Sequence, residues 1–272
     1  VLGPTATKTV WQGMNHACAN TNDGDATVRY DRYADRWIIA QFSINQANGP
    51  YYECIAVSQT GDPTGQWHRY AYQFDKLNDY PKMSVWPDGY YFSYNMFTKN
   101  GQNFEWAGGK VCAVDRSKML TGAAATQQCF DTGLDWGALL IGDSDGPTLP
   151  AAGSPAVAVG LGNTNLGVWK MKMNWTTPSQ STFTGPTTIE VQAFTPLCGT
   201  DTQTCIPQKG TTQQLDAISD RLMHRLVYRN FGTHESLYVN HTVATNGGGG
   251  GIRWYELRDL QNATPTLFQQ ST

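Results

Sequence analysis

Short strands that repeat in a fixed order constrain this chain more than any other feature of its sequence. Short apolar and aromatic runs alternate with Gly, Pro, Asn and Asp over the 272 residues, and helical periodicity is nearly absent. The runs group into four units of roughly 55 residues, a period typical of propeller blades. We predict four blades, each an antiparallel meander of four strands, at residues 20–76, 77–135, 136–197 and 213–272.

One meander cannot bury both of its faces, but neighbouring meanders packed around an axis can do so. The sequence therefore predicts an all-β fold, a β-propeller of about four blades that forms a single domain over residues 1–272 or part of a larger propeller. A β-sandwich or jelly roll is the competing fold, and it explains the strands without explaining their repeated order. Short helices are expected only at residues 116–120 and 215–219.

The six cysteines indicate an oxidising compartment, because none of them lies in a CxxC or a Cys/His zinc spacing. One pair brackets a short polar loop, a second pair lies in successive predicted strands, and the two remaining cysteines form the third. The predicted disulfides are Cys198–Cys205, Cys112–Cys129 and Cys18–Cys54. Six buried thiols are the alternative.

Charge and hydropathy argue against two classes of partner. Charged residues make up 15% of the chain, the net charge is −3, and no run of Lys and Arg forms the basic stripe that nucleic-acid binding needs. No apolar stretch reaches the length of about 18 residues that spans a bilayer. With the cysteines, these features predict a secreted protein, extracellular or at the cell surface, with no nucleic-acid partner and no membrane span.

An acidic residue stands near the start of each predicted blade, and the four are Asp25, Asp79, Asp145 and Asp220. Because the innermost strand of a blade begins at the mouth of the central channel, these carboxylates are predicted to converge and to bind a ligand with Arg221. Clustered carboxylates repel each other unless a cation joins them, so Lys82 and Arg225 are nearby candidates. The simpler alternative is that each Asp caps a turn or bonds a neighbouring blade.

Calcium is the metal that such a group of carboxylates would bind, because it prefers oxygen ligands. Residues 22–25 (NDGD) are similar to a fragment of a calcium loop and make Asp23 and Asp25 candidate ligands. They lack the later Asp and Glu of an EF-hand loop, and an ordinary turn is the alternative.

Exposed aromatic rings are the other resource for binding, since a ring can stack on a sugar face while amides bond the hydroxyls. Most aromatic residues of the second unit are predicted to lie in the blade core. Trp106 is predicted to stand in a Gly- and Asn-rich loop, to be exposed and to contact the ligand.

Four segments of the chain resemble a known group of proteins. They are residues 30–43 (YDRYADRWIIAQFS), 51–67 (YYECIAVSQTGDPTGQW), 78–97 (NDYPKMSVWPDGYYFSYNMF) and 215–243 (LDAISDRLMHRLVYRNFGTHESLYVNHTV). Together they resemble an uncharacterised group of large secreted bacterial proteins with a β-propeller-like region, and the likeness covers nearly the whole chain. The resemblance implies a propeller longer than this chain and brings no established activity with it.

A looser likeness is to sialidase-type propellers, in which an Asp-box caps the turn between the third and fourth strands of a blade. Residues 58–67 (SQTGDPTGQW) occupy that turn with a different spacing and without repetition. We predict a structural turn, in which Ser58 and Asp62 bond backbone amides and Trp67 packs beneath them.

Three functions fit these features. The leading prediction is a non-catalytic propeller that binds an extracellular ligand, either a glycan or another cell-surface component. The alternative is a propeller glycoside hydrolase or lyase with Asp residues at the channel mouth, which would need two carboxyl groups about 5–10 Å apart. The third is a scaffold segment of a larger surface protein, which would associate through unclosed blade edges.

Overall fold

A computed structural model of the chain describes residues 3–44, 49–199 and 204–272. The chain is all-β and of the β-propeller class, with four blades, as the sequence predicts. It divides into two compact units, Val1–Gly137 (unit 1) and Ala138–Thr272 (unit 2). No helix in the described part of the chain has the length and apolar character needed to cross a bilayer.

Unit 1 contains blades 1 and 2, which follow two short 3-10 helices at Thr7–Trp11 and Ala17–Ala19. Each blade is a meander whose strands pair in chain order. Blade 1 consists of β1 (Thr27–Asp31), β2 (Arg36–Ile44), β3 (Tyr51–Ser58) and β4 (Trp67–Phe74). Blade 2 consists of β5 (Leu77–Trp86), β6 (Gly89–Asn100), β7 (Asn103–Asp115) and β8 (Gln127–Asp131). The helix predicted at residues 116–120 is confirmed as α1 (Arg116–Met119) between β7 and β8.

Unit 2 contains blades 3 and 4. Its strands are β9 (Leu140–Ile141), β10 (Asp143–Asp145), β11 (Ala156–Leu161), β12 (Asn165–Lys172), β13 (Thr182–Glu190), β14 (Thr204–Ile206), β15 (Leu215–Asp216), β16 (Met223–Asn230), β17 (Glu235–Ala244), β18 (Gly250–Arg258) and β19 (Thr266–Ser271), with a 3-10 helix at Pro178–Gln180. Blade 3 has the order β13-β12-β11-β9, and blade 4 has the order β10-β16-β17-β18-β19. The parallel pairing of β10 with β16 adds a fifth strand to blade 4.

The helix predicted at residues 215–219 is wrong. Residues 215 and 216 form β15, which pairs with β14 in a small antiparallel sheet. The Asp216 carboxylate accepts a hydrogen bond from the Ile218 backbone N at 2.8 Å, and Ile218 has a φ of 45°. A side chain that bonds the backbone two residues later favours a turn over a helix.

Blades 1 and 2 pack against each other around one apolar core. Blade 1 contributes Ile55 and Val57 of β3 to this core. β6 contributes alternate residues, as the strand period of two requires: Tyr90, Phe92, Tyr94 and Met96. Most aromatic residues of the second unit of the sequence are therefore core residues, as predicted.

All three predicted disulfides are confirmed. The first joins the 3-10 helix of residues 17–19 to β3, and the second joins directly opposite positions of β7 and β8 with Cα atoms 4.1 Å apart. The third closes a loop in unit 2, of which residues 200–203 lie outside the described residues. The bonds are Cys18–Cys54, Cys112–Cys129 and Cys198–Cys205.

The predicted structural turn between β3 and β4 is also confirmed. Ser58 Oγ accepts a hydrogen bond from the Trp37 backbone N at 2.8 Å, and Asp62 Oδ1 accepts one from the Thr64 backbone N at 2.8 Å. The indole of Trp67 donates to the Pro63 carbonyl at 3.2 Å and closes the turn.

One buried carboxylate, that of Asp31, links blade 1 to blade 2. Asp31 ends β1, is 0% exposed, and accepts backbone hydrogen bonds from Tyr33 and Ala34 in the β1–β2 turn. From blade 2 it accepts bonds from Arg116 Nε at 2.6 Å, from Arg116 Nη2 at 3.1 Å and from the Tyr90 hydroxyl at 2.8 Å. A buried charge is tolerated when it is paired and its lone pairs are satisfied, which this geometry achieves.

The substitution Asp31→Asn should therefore destabilise the protein strongly. It removes the negative charge that compensates the largely buried Arg116 guanidinium, and breaking one side of a buried pair costs about 3 kcal/mol or more. Urea unfolding at neutral pH would measure the loss in free energy of unfolding.

The matched control is Asp131→Asn. Asp131 pairs with Lys110 at 2.5 Å, but its side chain is 75% exposed. Exposed pairs contribute at most about 1 kcal/mol, so a much smaller loss is expected. Equal losses in the two variants would contradict the linking role of Asp31.

Candidate functional site

Two of the four predicted acidic residues lie in unit 1, and the other two lie in unit 2. In unit 1, Asp25 is exposed just before β1, as predicted. Asp79 lies inside β5 and not before it, at an irregularity in the pairing with β6 between Asp79 and Lys82. A proline inside a strand removes a ladder hydrogen bond, but β5 continues through Tyr80 and Pro81, with Tyr80 at a φ of 53°.

In unit 2, Asp145 does not precede the first strand of blade 3 but ends β10, which pairs with blade 4. Its carboxylate accepts a hydrogen bond from Arg225 Nη2 at 2.5 Å, while Nη1 of the same guanidinium donates to Asp143 at 2.9 Å. Asp145 is thus part of an ion-pair contact between β10 and β16. Convergence of all four acidic residues stays a prediction.

The candidate calcium ligands have structural roles or lie at the surface. Asp23 Oδ2 accepts a hydrogen bond from the Ile44 backbone N at 2.6 Å and so holds the end of β2. Asp25 has a φ of 50° in the turn that leads into β1. Over the described ranges, no three His, Cys, Asp or Glu side chains are grouped to hold a metal ion. Calcium at Asp23 and Asp25 therefore stays a prediction without a ligand set.

Asp220 lines a cavity of about 400 Å³ in unit 2, which we call the Asp220 cavity. Its described lining residues are Leu161, Gly162, Asn163, Phe194, Pro196, Gly199, Ser219 and Asp220. They come from the β11–β12 turn, from the chain that follows β13 and from the segment that precedes β16. A cavity of this size fits one small ligand.

The walls of the Asp220 cavity are held by blade 4. The Phe194 ring meets the buried His241 ring edge-on at a centroid distance of 4.5 Å. The guanidinium of Arg253 donates to the Gln192 carbonyl at 3.0 Å, and the hydroxyl of Ser219 donates to the Leu197 carbonyl at 2.7 Å. These contacts fix the segment that carries Phe194 and make the apolar wall a preformed surface.

His241 supports this wall as a neutral ring. The pKa of His241 is lowered to about 4, mainly by burial and in part by the charge of Arg253, while the backbone at Thr242 acts in the opposite direction. One ring nitrogen, Nε2, lies 2.9 Å from the Tyr255 hydroxyl. At neutral pH the side chain behind Phe194 therefore carries no charge.

The polar side of the Asp220 cavity is a carboxylate paired with a guanidinium. Arg221 Nε donates to Asp220 Oδ1 at 2.8 Å, and Arg221 Nη2 donates to Asp220 Oδ2 at 2.7 Å. Asp220 and Arg221, both predicted ligand-binding residues, are thus joined to each other in bidentate geometry. Asn163 is exposed at the β11–β12 turn and adds an amide to the lining.

Trp106 is 40% exposed, as predicted, but it lies in β7 and not in a loop. Its indole Nε1 donates a hydrogen bond to the Leu134 carbonyl at 2.8 Å. The ring of Phe97, directly opposite on β6, contacts it edge-on at 5.7 Å. The indole is therefore held in one orientation although it faces solvent.

Glu53, which is not among the predicted site residues, lies in a buried polar cluster between blades 1 and 2. Glu53 is 0% exposed, and its Oε2 accepts a hydrogen bond from Asn78 Nδ2 at 3.0 Å. Burial raises the pKa of Glu53 well above its usual range; the bond from Asn78 opposes this, and the charge of Asp25 adds to it. Glu53 Oε1, Asn78 Oδ1 and the Tyr94 hydroxyl have no hydrogen-bond partner among the described residues.

Glu53 and Asp25 meet one requirement of a hydrolase and fail another. A protonated carboxylic acid near a second carboxylate suits general acid catalysis. A substrate must also reach both groups, and the Glu53 side chain is fully buried. The pair therefore lacks the open cleft that glycoside hydrolysis needs.

Comparisons with known proteins show similarity of fold only. No protein-family model and no curated protein matches the sequence. The catalytic domain of a GH62 alpha-L-arabinofuranosidase from Coprinopsis cinerea matches with a TM-score of 0.39 and 9% identity over 89% of this chain. An exo-beta-1,3-galactanase from Phanerochaete chrysosporium, solved with galactose, matches with a TM-score of 0.37 and 13% identity over 89% of this chain.

A glycosyl hydrolase from Bacteroides ovatus has a TM-score of 0.44 and 9% identity over 90% of this chain, which spans 69% of that structure. The chain spans 66% and 47% of the first two structures. At these TM-scores the similarities assign neither an activity nor site residues to this chain.

The substitution Glu53→Gln should stabilise the protein at high pH. Burial raises the pKa of Glu53 well above its ordinary value of 4.5, so Glu53 keeps its proton to a higher pH in the folded state than in the unfolded chain. Stability is therefore full below that pKa and is lost as the pH rises, and Gln removes this loss while still accepting the bond from Asn78. Urea unfolding at pH 4 and pH 8 should show an advantage of the variant at pH 8 that shrinks at pH 4.

The control is Glu105→Gln, because Glu105 is exposed on β7. Its effect on the free energy of unfolding should be small and similar at the two pH values. An equal destabilisation by Glu53→Gln at both pH values would contradict a protonated Glu53 in the folded state.

Proposed function

We propose that this chain is a carbohydrate-binding β-propeller that holds one sugar residue of an extracellular glycan in the Asp220 cavity. The observation that carries the proposal is the cavity itself, whose lining combines the aromatic Phe194 with the polar residues Asn163, Ser219 and Asp220. Pockets for small ligands are mostly apolar, with a few placed polar groups that fix the orientation of the ligand.

The lining chemistry suits a sugar ring. The Phe194 ring, held by His241, offers an apolar face to the C–H groups of a pyranose. The Asp220 carboxylate is a hydrogen-bond acceptor, and the Asn163 amide can both donate and accept. The lining therefore suits a neutral sugar, with an apolar contact for its C–H groups and polar contacts for its hydroxyl groups.

Binding is favoured over hydrolysis at this cavity. Asp220 is the one carboxylate among its described lining residues, and Arg221 compensates its charge. Glycoside hydrolysis needs two carboxyl groups that face each other across the bond, one of them an acid. The alternative of a propeller glycoside hydrolase or lyase would therefore need its acid and its base elsewhere in the protein.

We also propose that the chain works outside the cell or at the cell surface. Three disulfides with all six cysteines paired are typical of proteins that fold in an oxidising compartment. The resemblance to large secreted bacterial proteins points in the same direction and suggests a glycan of the surroundings or of another cell as partner.

The substitution Phe194→Ala should weaken sugar binding at least about tenfold, because it removes the apolar wall at the centre of the site. A panel of mono- and disaccharides measured by isothermal titration calorimetry would identify the ligand and its Kd. Asn163→Ala is the second variant, since Asn163 is exposed and its loss should weaken binding without affecting folding.

The matched control is Phe231→Ala. Phe231 is 48% exposed in the same unit and does not line the cavity, so its loss should leave the Kd unchanged. Unchanged affinity in both cavity variants would overturn the site. Release of reducing sugar that disappears in Asp220→Asn would overturn the non-catalytic role and favour the hydrolase.

A further inference from the structure

The hairpin of β6 and β7 extends beyond the rest of blade 2. The pairing of β5 with β6 begins at Phe97, and the pairing of β7 with β8 begins at Lys110. Residues 98–105 therefore pair only with each other, from Thr98 opposite Glu105 to Asn100 opposite Asn103. This end of the hairpin is a two-stranded ribbon with both of its faces outside the four-stranded sheet.

One face of this ribbon is aromatic. Residues that lie opposite each other or two apart on a strand share a face, so Phe97, Lys99, Phe104 and Trp106 lie together. The Lys99 ammonium lies over the Phe104 ring at 4.6 Å, and Phe104 is 40% exposed. The acidic residue of the ribbon, Glu105, belongs to the other face, where it accepts a bond from Asn100 at 2.6 Å.

The Trp106 ring is positioned by three contacts. Besides its hydrogen bond to the Leu134 carbonyl and its edge-on contact with the Phe97 ring, it lies against the backbone of Gly137, where an added Cβ would be only 2.4 Å from Cη2 of the ring. Only glycine leaves room for the indole at this place. A large ring that is fixed before binding loses little conformational entropy when a ligand stacks on it.

We propose that this face, with Phe104 and Trp106 as the Trp106 platform, is a second carbohydrate site that binds an extended polysaccharide chain. A ring at the side of a ribbon can stack on a sugar face, and Lys99 can donate to hydroxyl or carboxylate oxygens beside it. The platform is separate from the Asp220 cavity, since all of its residues belong to unit 1.

A polymer fits the platform better than a free monosaccharide. A solvent-exposed aromatic ring contacts only one face of a sugar, so its affinity for a single sugar residue is low. A polysaccharide offers many equivalent residues, which raises the effective concentration at the platform. A protein partner fits less well, because a stable protein interface needs about 800 Å² per partner, and this platform has two partly exposed aromatic side chains.

The test is native affinity electrophoresis of the whole chain in gels that contain soluble xylan, β-1,3-glucan, galactan or alginate. Wild-type protein should be retarded by at least one of these polymers. Trp106→Ala should raise the Kd for that polymer at least about tenfold, because stacking on one ring is the main contact. Trp106→Phe should keep part of the retardation, since an aromatic ring remains at position 106 and Gly137 is unchanged.

The control is Phe268→Ala, which removes another aromatic ring, 51% exposed in unit 2, and should leave retardation unchanged. Circular dichroism of each variant would confirm that the fold is retained. Equal retardation of Trp106→Ala and wild type, or no retardation of wild type by any polymer, would overturn the platform. Phe194→Ala should reduce sugar binding in the Asp220 cavity without altering retardation, so the two proposals fail independently.

Discussion

The carboxylate of Asp31 is the contact on which the packing of unit 1 depends. It is fully buried, and its hydrogen-bond donors come from the β1–β2 turn, from α1 and from β6. Because a buried charge without partners is very costly, blade 1 and blade 2 cannot shift against each other without losing this compensation. The apolar core between the two blades is not directional, so the polar contact supplies the register that close packing alone leaves open.

The sequence predicts most of the fold because alternating apolar residues and turn residues carry the signal for short strands. The parallel pairing of β10 with β16 could not be predicted, since Asp-Ser-Asp shows no apolar alternation and the strand forms through the ion pairs of Arg225. Asp79 was expected near the start of its blade but lies inside β5, because an irregularity in the ladder accommodates Pro81 within the strand. These errors occur where polar contacts override the apolar pattern.

The candidate sites were harder to predict. The Gly and Asn residues around Trp106 predict that it is exposed. They do not predict its place in β7, because the ribbon is held by backbone pairing with no apolar core beneath it. Phe194 lies outside any regular strand, and its role depends on His241, which is distant in sequence. Glu53 had a usable signal: it alternates with Tyr51 and Ile55 on the buried face of β3, which predicts a buried carboxyl group.

Gly137 limits how the Trp106 platform can change during evolution. The missing side chain of this glycine is the space that the indole occupies, so the two positions form one unit although 31 residues separate 106 from 137. A single base change at the glycine codon would displace the ring while leaving the tryptophan itself intact. Among related sequences, we expect glycine at this position wherever the tryptophan is present, and freedom to vary where it has been lost.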